Sequence, residues 1–173
     1  MSTIEGLKPY ALLGGYNAAE LWPTINLILP TWFLIAVAPR WKYTPTLTLI
    51  GPIIHALIYT LSTISLMSDP EHNDGDAPDF STFEGVVNLF KDPNGVFVGW
   101  IHYVVFDALV GRWIALDSVD RGCSLLVHVF VIIPIIFLTL MLGPMGWLLY
   151  VAVVRTLLLP SSNKNDTTKA KNS

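Results

Sequence analysis

Trp100-Ile101-His102-Tyr103-Val104-Val105-Phe106-Asp107-Ala108-Leu109-Val110-Gly111-Arg112-Trp113 is apolar enough to enter a bilayer, yet it carries an imidazole, a carboxylate and a guanidinium. A carboxylate or guanidinium at the centre of a membrane helix costs roughly 2.5–3.5 kcal/mol on insertion scales, so it faces a partner, a cavity or water rather than lipid. The segment therefore reads as a membrane span enclosed by other helices.

The rest of the composition agrees. The chain has 173 residues, 53% of them hydrophobic and only 13% charged, well away from the averages of soluble domains, and its mean hydropathy is +0.55. That length has room for one domain, and the pattern describes a multi-pass integral membrane protein whose first partner is the lipid bilayer. A net charge of −3 with dispersed Lys and Arg argues against a nucleic-acid partner, which needs a basic surface. Cys123 is the single cysteine, so no internal disulfide forms, and no Cys/His cluster has zinc spacing. The N-terminal residues show neither the basic start and continuous apolar core of a secretory signal nor the Arg/Ser-rich character of a transit peptide.

A hydrocarbon core of about 30 Å needs about 20 apolar residues in a helix. Residues 21–38 supply the first span, stopped by Pro39-Arg40-Trp41-Lys42, and Pro30 in its middle predicts a kink. Residues 47–67 supply the second, free of Asp, Glu, Lys and Arg. From Ser68 to Asp79 the chain is rich in Pro, Gly and carboxylates and reads as a solvated loop, without the pattern of an EF-hand. Between Ser81 and Phe90, the residues Phe83, Val86, Val87 and Phe90 recur at helical spacing behind Ser81 or Thr82 as a cap, which predicts a short interfacial helix ended by Lys91-Asp92-Pro93-Asn94-Gly95.

Residues 96–116 are the third span, and Asp117 to Gly122 the turn after it. The fourth covers about 125–155 and is kinked or broken, because the apolar pattern from Cys123 to Leu159 is too long for one upright span. Two readings are open. Leu125 to Leu142 spans and Trp147 to Leu159 lies along the interface, or one long helix bends at Pro134 and Pro144. The predicted architecture is all-α, an integral membrane bundle of about four transmembrane helices in a single domain, 1–160, with a polar disordered tail, 161–173. Orientation is undecided: with four spans, Arg40, Lys42 and Arg121 oppose Lys8, Lys91 and the tail lysines.

At about 100° per residue, Trp100, Tyr103, Asp107 and Ile114 share one sector of the third span, and His102, Val105, Leu109 and Arg112 the opposite one. Asp107 and Arg112 stand about 7.5 Å apart along the axis and are not an ideal pair. Asp107 is better placed to meet Tyr103 or another helix. Polar groups on both sides make this helix the centre of the bundle. His102 and Asp107 are the candidates for function, whereas Arg112 equally fits a structural group near Asp117. His55 and His128 read as helix–helix contacts, and the six Trp mostly as interface anchors.

Three runs carry a resemblance. They are Leu29-Pro30-Thr31-Trp32-Phe33-Leu34-Ile35-Ala36-Val37-Ala38-Pro39-Arg40, the Trp100-to-Asp107 run with Arg112, and Gly143-Pro144-Met145-Gly146 with Arg155. Together they resemble the plant neoxanthin-synthase-like family, named for an abscisic-acid-deficient mutant. The Trp-x-His-x4-Asp-x4-Arg pattern is the most specific element. The chain departs from the family in its acidic loop and in showing no transit peptide.

The resemblance implies a four-helix, plastid-type membrane protein needed to convert violaxanthin to neoxanthin, a carotenoid or other lipophilic ligand, and many relatives of unassigned activity. Turning a 5,6-epoxide into its allenic isomer takes an acid at the oxygen and a base at a vinylic carbon, with no redox change and no cofactor. Asp107 as acid and His102 as base are chemically sufficient, with Trp100, Tyr103 and Arg112 lining the substrate. Their opposed sectors require separate substrate atoms or a second helix. The alternatives are a non-catalytic membrane subunit or pigment and lipid binder with membrane protein partners, and a small proton-coupled carrier.

Overall fold

In the computed structural model the described residues are 4–68 and 79–159. Most of the acidic loop (69–78) and the polar tail lie outside them. The described residues are all-α, with no strand beyond an isolated bridge between Pro9 and Asn17. Four stretches are long and apolar enough to cross a membrane, Ala18–Val37, Thr44–Met67, Pro93–Asp120 and Leu125–Leu158. The chain divides into two compact units, Met1–Pro30 with Leu49–Phe106, and Thr31–Thr48 with Asp107–Ser173.

In the first stretch Asn17 caps α1 (Ala18–Leu21) through a capping box with Glu20, which satisfies the first backbone donors. A 3-10 run, Trp22–Ile28, follows and gives way to α2 (Leu29–Val37). Pro30 thus falls in the first turn of α2 rather than in mid-helix, where its missing N–H costs nothing. The predicted kink becomes a change of helix type.

The first unit is closed by α4 (Ile50–Met67), α5 (Phe83–Leu89) and the first half of α6 (Pro93–Asp120). Thr82 caps α5 by accepting from the Gly85 N–H at 3.1 Å. Asn94, fully buried, ties the N-terminal segment down. Its Oδ1 accepts from Lys8 N at 3.1 Å, and its Nδ2 donates to Gly6 O and to Asp92 Oδ1, each at 2.9 Å. Tyr10 stacks on Phe97 with centroids 5.9 Å apart. His55 is buried on α4, its ring nitrogens 2.8 Å from Gly51 O and 3.1 Å from Thr24 O.

Helix α6 outruns the predicted span at both ends. At its start Pro93 takes a first-turn position, and Asp92 Oδ1 accepts from the Asn94 N–H at 3.2 Å. At its end Asp117 and Arg121 pair across one turn at 2.9 Å, which keeps the predicted turn helical. Gly122, at φ 72°, supplies the left-handed residue that ends it.

In the second unit, α3 (Thr44–Leu47) and the preceding turn are laced by hydroxyls. Thr44 Oγ1 donates to Ala38 O at 2.6 Å and Thr48 Oγ1 to Thr44 O at 2.5 Å. The fourth stretch starts at Ser124, whose hydroxyl caps α7 (Leu125–Val127), and passes through a π-helical segment, His128–Ile132, into α8 (Ile133–Leu149). His128 Nε2 lies 2.9 Å from Ala36 O, a helix contact.

Leu142, at φ −141° and ψ 48°, leaves helical geometry just before Gly143-Pro144, and the chain doubles back there. A Cβ on Gly146 would lie 2.6 Å from the backbone nitrogen of Thr139, although a straight helix separates residues seven apart by about 10 Å. The returning limb ends in a π-helical segment, Tyr150–Leu158. Its Tyr150 and Arg155 both reach Asp117, close to where the outgoing limb began. The two limbs of the apolar stretch pack against each other as a helical hairpin, which is a sharper reversal than a gently bent rod.

Candidate functional site

The first unit contains an apolar cavity of about 300 Å³. Helix α4 gives it Tyr59, Thr63, Leu66 and Met67; the segment around α5 gives Phe80, Val86, Leu89 and Phe90; the start of α6 gives Asp92, Gly95, Val98, Gly99, His102 and Tyr103. Gly99 has a steric reason to be glycine, since a Cβ there would lie 2.7 Å from Cε1 of Phe90. The phenyl ring can therefore seat itself on the helix backbone and wall the cavity.

His102 is held by rings rather than by hydrogen bonds. Its imidazole lies 4.6 Å from the Phe106 ring, 5.9 Å from Tyr59 and 6.0 Å from Tyr103, centroid to centroid. No hydrogen bond or ion pair to its side chain occurs among the described residues. Both ring nitrogens are thus available to a ligand, as donor and acceptor. Tyr103 shares this cavity although the wheel sets it opposite His102. Neighbouring residues diverge by only about 100°, and long aromatic side chains close the difference.

The other sequence candidates lie elsewhere. Trp100 is half-exposed and packs against Trp22 at 6.1 Å. Arg112 sits in the second unit, where Nε donates to Thr48 Oγ1 at 3.1 Å and Nη2 to Pro45 O at 2.6 Å. Its guanidinium anchors the α3 region and does not turn toward Asp117.

Asp107, also in the second unit, has no hydrogen-bond partner among the described residues. Its carboxylate occupies a slot on the hairpin, and a Cβ on Gly143 would come within 2.1 Å of its Oδ1. The cavity brings together His102 and Tyr103; Trp100, Asp107 and Arg112 are not among its lining residues.

Sequence reasoning missed Asp92 and Tyr59. Asp92 was legible in principle, since Asp before Pro is a helix start, but Lys91-Asp92-Pro93 served there as the stop of the preceding helix. Tyr59 carries no local signal. Also missed was the ligation of Asp117, whose Oδ2 accepts from Arg121 Nε at 2.9 Å, Tyr150 OH at 2.7 Å and Arg155 Nε at 3.0 Å. Among the described residues no group of three or more His, Cys, Asp or Glu could hold a metal ion.

A family model described as ABA DEFICIENT 4-like matches residues 21–150. No curated protein and no solved structure matches the chain.

Proposed function

The chain belongs to the ABA DEFICIENT 4-like family, and from that membership we propose that it is a membrane-embedded, cofactor-free isomerase of an epoxide-bearing lipid of the carotenoid type. The observation that carries this reading is the cavity, in which an imidazole without hydrogen bonds stands among apolar and aromatic walls. At about 300 Å³ it is at the lower end of small-molecule sites. That suits one end ring of such a lipid, with its polyene chain lying outside in the bilayer.

The reaction balances without an oxidant. The epoxide C–O bond breaks, a proton is delivered to the oxygen, and a proton leaves the vinylic carbon while its electron pair forms the second double bond of an allene. His102 is the base in this reading, and Tyr103, beside it, holds the oxygen-bearing ring. Asp107 is the acid, supported by its lack of a protein partner. Trp100 and Arg112 take no direct part, since Trp100 packs on Trp22 and Arg112 is engaged with Thr48 and Pro45.

The test is expression in cells that accumulate violaxanthin, followed by chromatography for neoxanthin. Product is expected from the wild type and is lost in His102→Gln and Asp107→Asn; a well-folded wild type without product overturns the reading. One observation favours a non-catalytic pigment or lipid binder instead, namely that Asp107 is not among the cavity's lining residues. In that case His102→Gln would still copurify with pigment, and no conversion would be seen in either form.

A further inference from the structure

The second unit holds a charge cluster that the proposed isomerisation does not use. Asp117 is ligated by two arginines, and each reaches the same oxygen, Oδ2, through its Nε. Arg155 thus meets the carboxylate at a single point rather than through the two parallel bonds of a bidentate pair. Here the Nη groups of Arg155 have no hydrogen-bond partner among the described residues, and its side chain is 37% exposed. The guanidinium is kept in place from the other side by Trp113, whose ring centroid lies 5.8 Å away, and Trp113 is itself braced edge-on by Tyr150 at 5.5 Å.

A third guanidinium joins the same end of α6. Arg40 donates through Nη2 to the carbonyl of Cys123, in the turn that follows Arg121. Among the described residues the carboxylates at this end of α6 are Asp117 and the exposed Asp120. A tryptophan beside arginines at the end of an apolar helix marks headgroup depth, and basic pockets between membrane helices recognise anionic lipid headgroups.

We infer that the Arg155–Trp113–Arg121 corner binds the phosphate of an anionic lipid. A phosphodiester brings one negative charge, and its non-ester oxygens accept from the Nη pair of Arg155. The inference rests on the second unit alone and stands or falls independently of the isomerase reading.

The experiment is native mass spectrometry of the full chain released from detergent, titrated with phosphatidylglycerol or with zwitterionic phosphatidylcholine. Phosphatidylglycerol is expected to be retained preferentially, and Arg155→Gln to weaken its affinity about tenfold, as for loss of one charge-assisted hydrogen-bond pair. Arg155→Lys, which keeps the ion pair with Asp117 and so guards against loss of fold, retains the preference with an affinity reduced a few-fold, because an ammonium lacks the fork. Lys91→Gln, just before the start of α6, leaves the preference intact. Equal retention of the two lipids, or undiminished phosphatidylglycerol binding in both Arg155 variants, overturns the inference. Displacement of the lipid by millimolar inorganic phosphate would overturn the lipid assignment and make the corner a site for soluble phosphate.

Discussion

The two halves of α6 differ in what their polar side chains touch. In residues 93–106 His102 meets only rings and faces a cavity. In residues 107–120 Arg112, Asp117 and Ser118 all have hydrogen-bond partners, whereas Asp107 and the exposed Asp120 have none among the described residues. A buried polar group is costly until it is paired. Paired groups therefore hold the second unit together, whereas the unpaired ones are poised for a ligand. On the proposed reading the first half of α6 serves recognition through His102, and the second supports the fold through Asp117.

That contrast makes quantitative demands. Asp117→Ala strips one acceptor from two guanidiniums and a tyrosine hydroxyl together, and should cost about 3 kcal/mol, read as a lowered thermal midpoint in detergent. His102→Gln should shift that midpoint by no more than about 0.5 kcal/mol equivalent; if the two substitutions cost the same, the division of α6 into recognising and supporting halves collapses.

Smaller effects sharpen the contrast. Gly146→Ala forces a methyl against the Thr139 backbone and should destabilise by about 1–3 kcal/mol through overpacking, with loss of protease resistance confined to the hairpin. Gly99→Ala instead displaces only the Phe90 ring, and the better helix propensity of alanine, about 1 kcal/mol, offsets much of the strain. Its stability should stay near the wild type while binding to the cavity weakens, seen as a raised KM in a conversion assay.

The smallest effect is local to α5. Asp79 is held down to about 2 by hydrogen bonds from Ser81 and Thr82. A depressed carboxylate contributes stability that is complete above its unfolded value of about 3.9 and is lost as pH falls through the folded value. Amide exchange in α5 should therefore rise between about pH 4 and 2, while the middle of α6 stays protected.

Much of this was legible in the sequence. The Trp100–Trp113 run identified α6 because charge inside an apolar stretch has few physical solutions, and Thr82 announced the short helix it caps. Partners were not legible. His102, Asp107 and Arg112 look alike on a wheel, and only the fold reveals that Arg112 is engaged by Thr48 and Pro45 while His102 is not engaged at all. Likewise Gly143-Pro144 announces a break, but its direction depends on the close approach of Gly146 to Thr139, a contact with no local pattern.

The reversal at Leu142 alters the parity of the chain. An upright fourth helix would make an even number of crossings, whereas a hairpin returns Arg155 to the face from which Ser124 departed. Arg155 thus joins Arg40 and Arg121 at one end of the second unit. Within that unit three guanidiniums then meet at the turn after α6, the kind of local clustering that the positive-inside rule weighs.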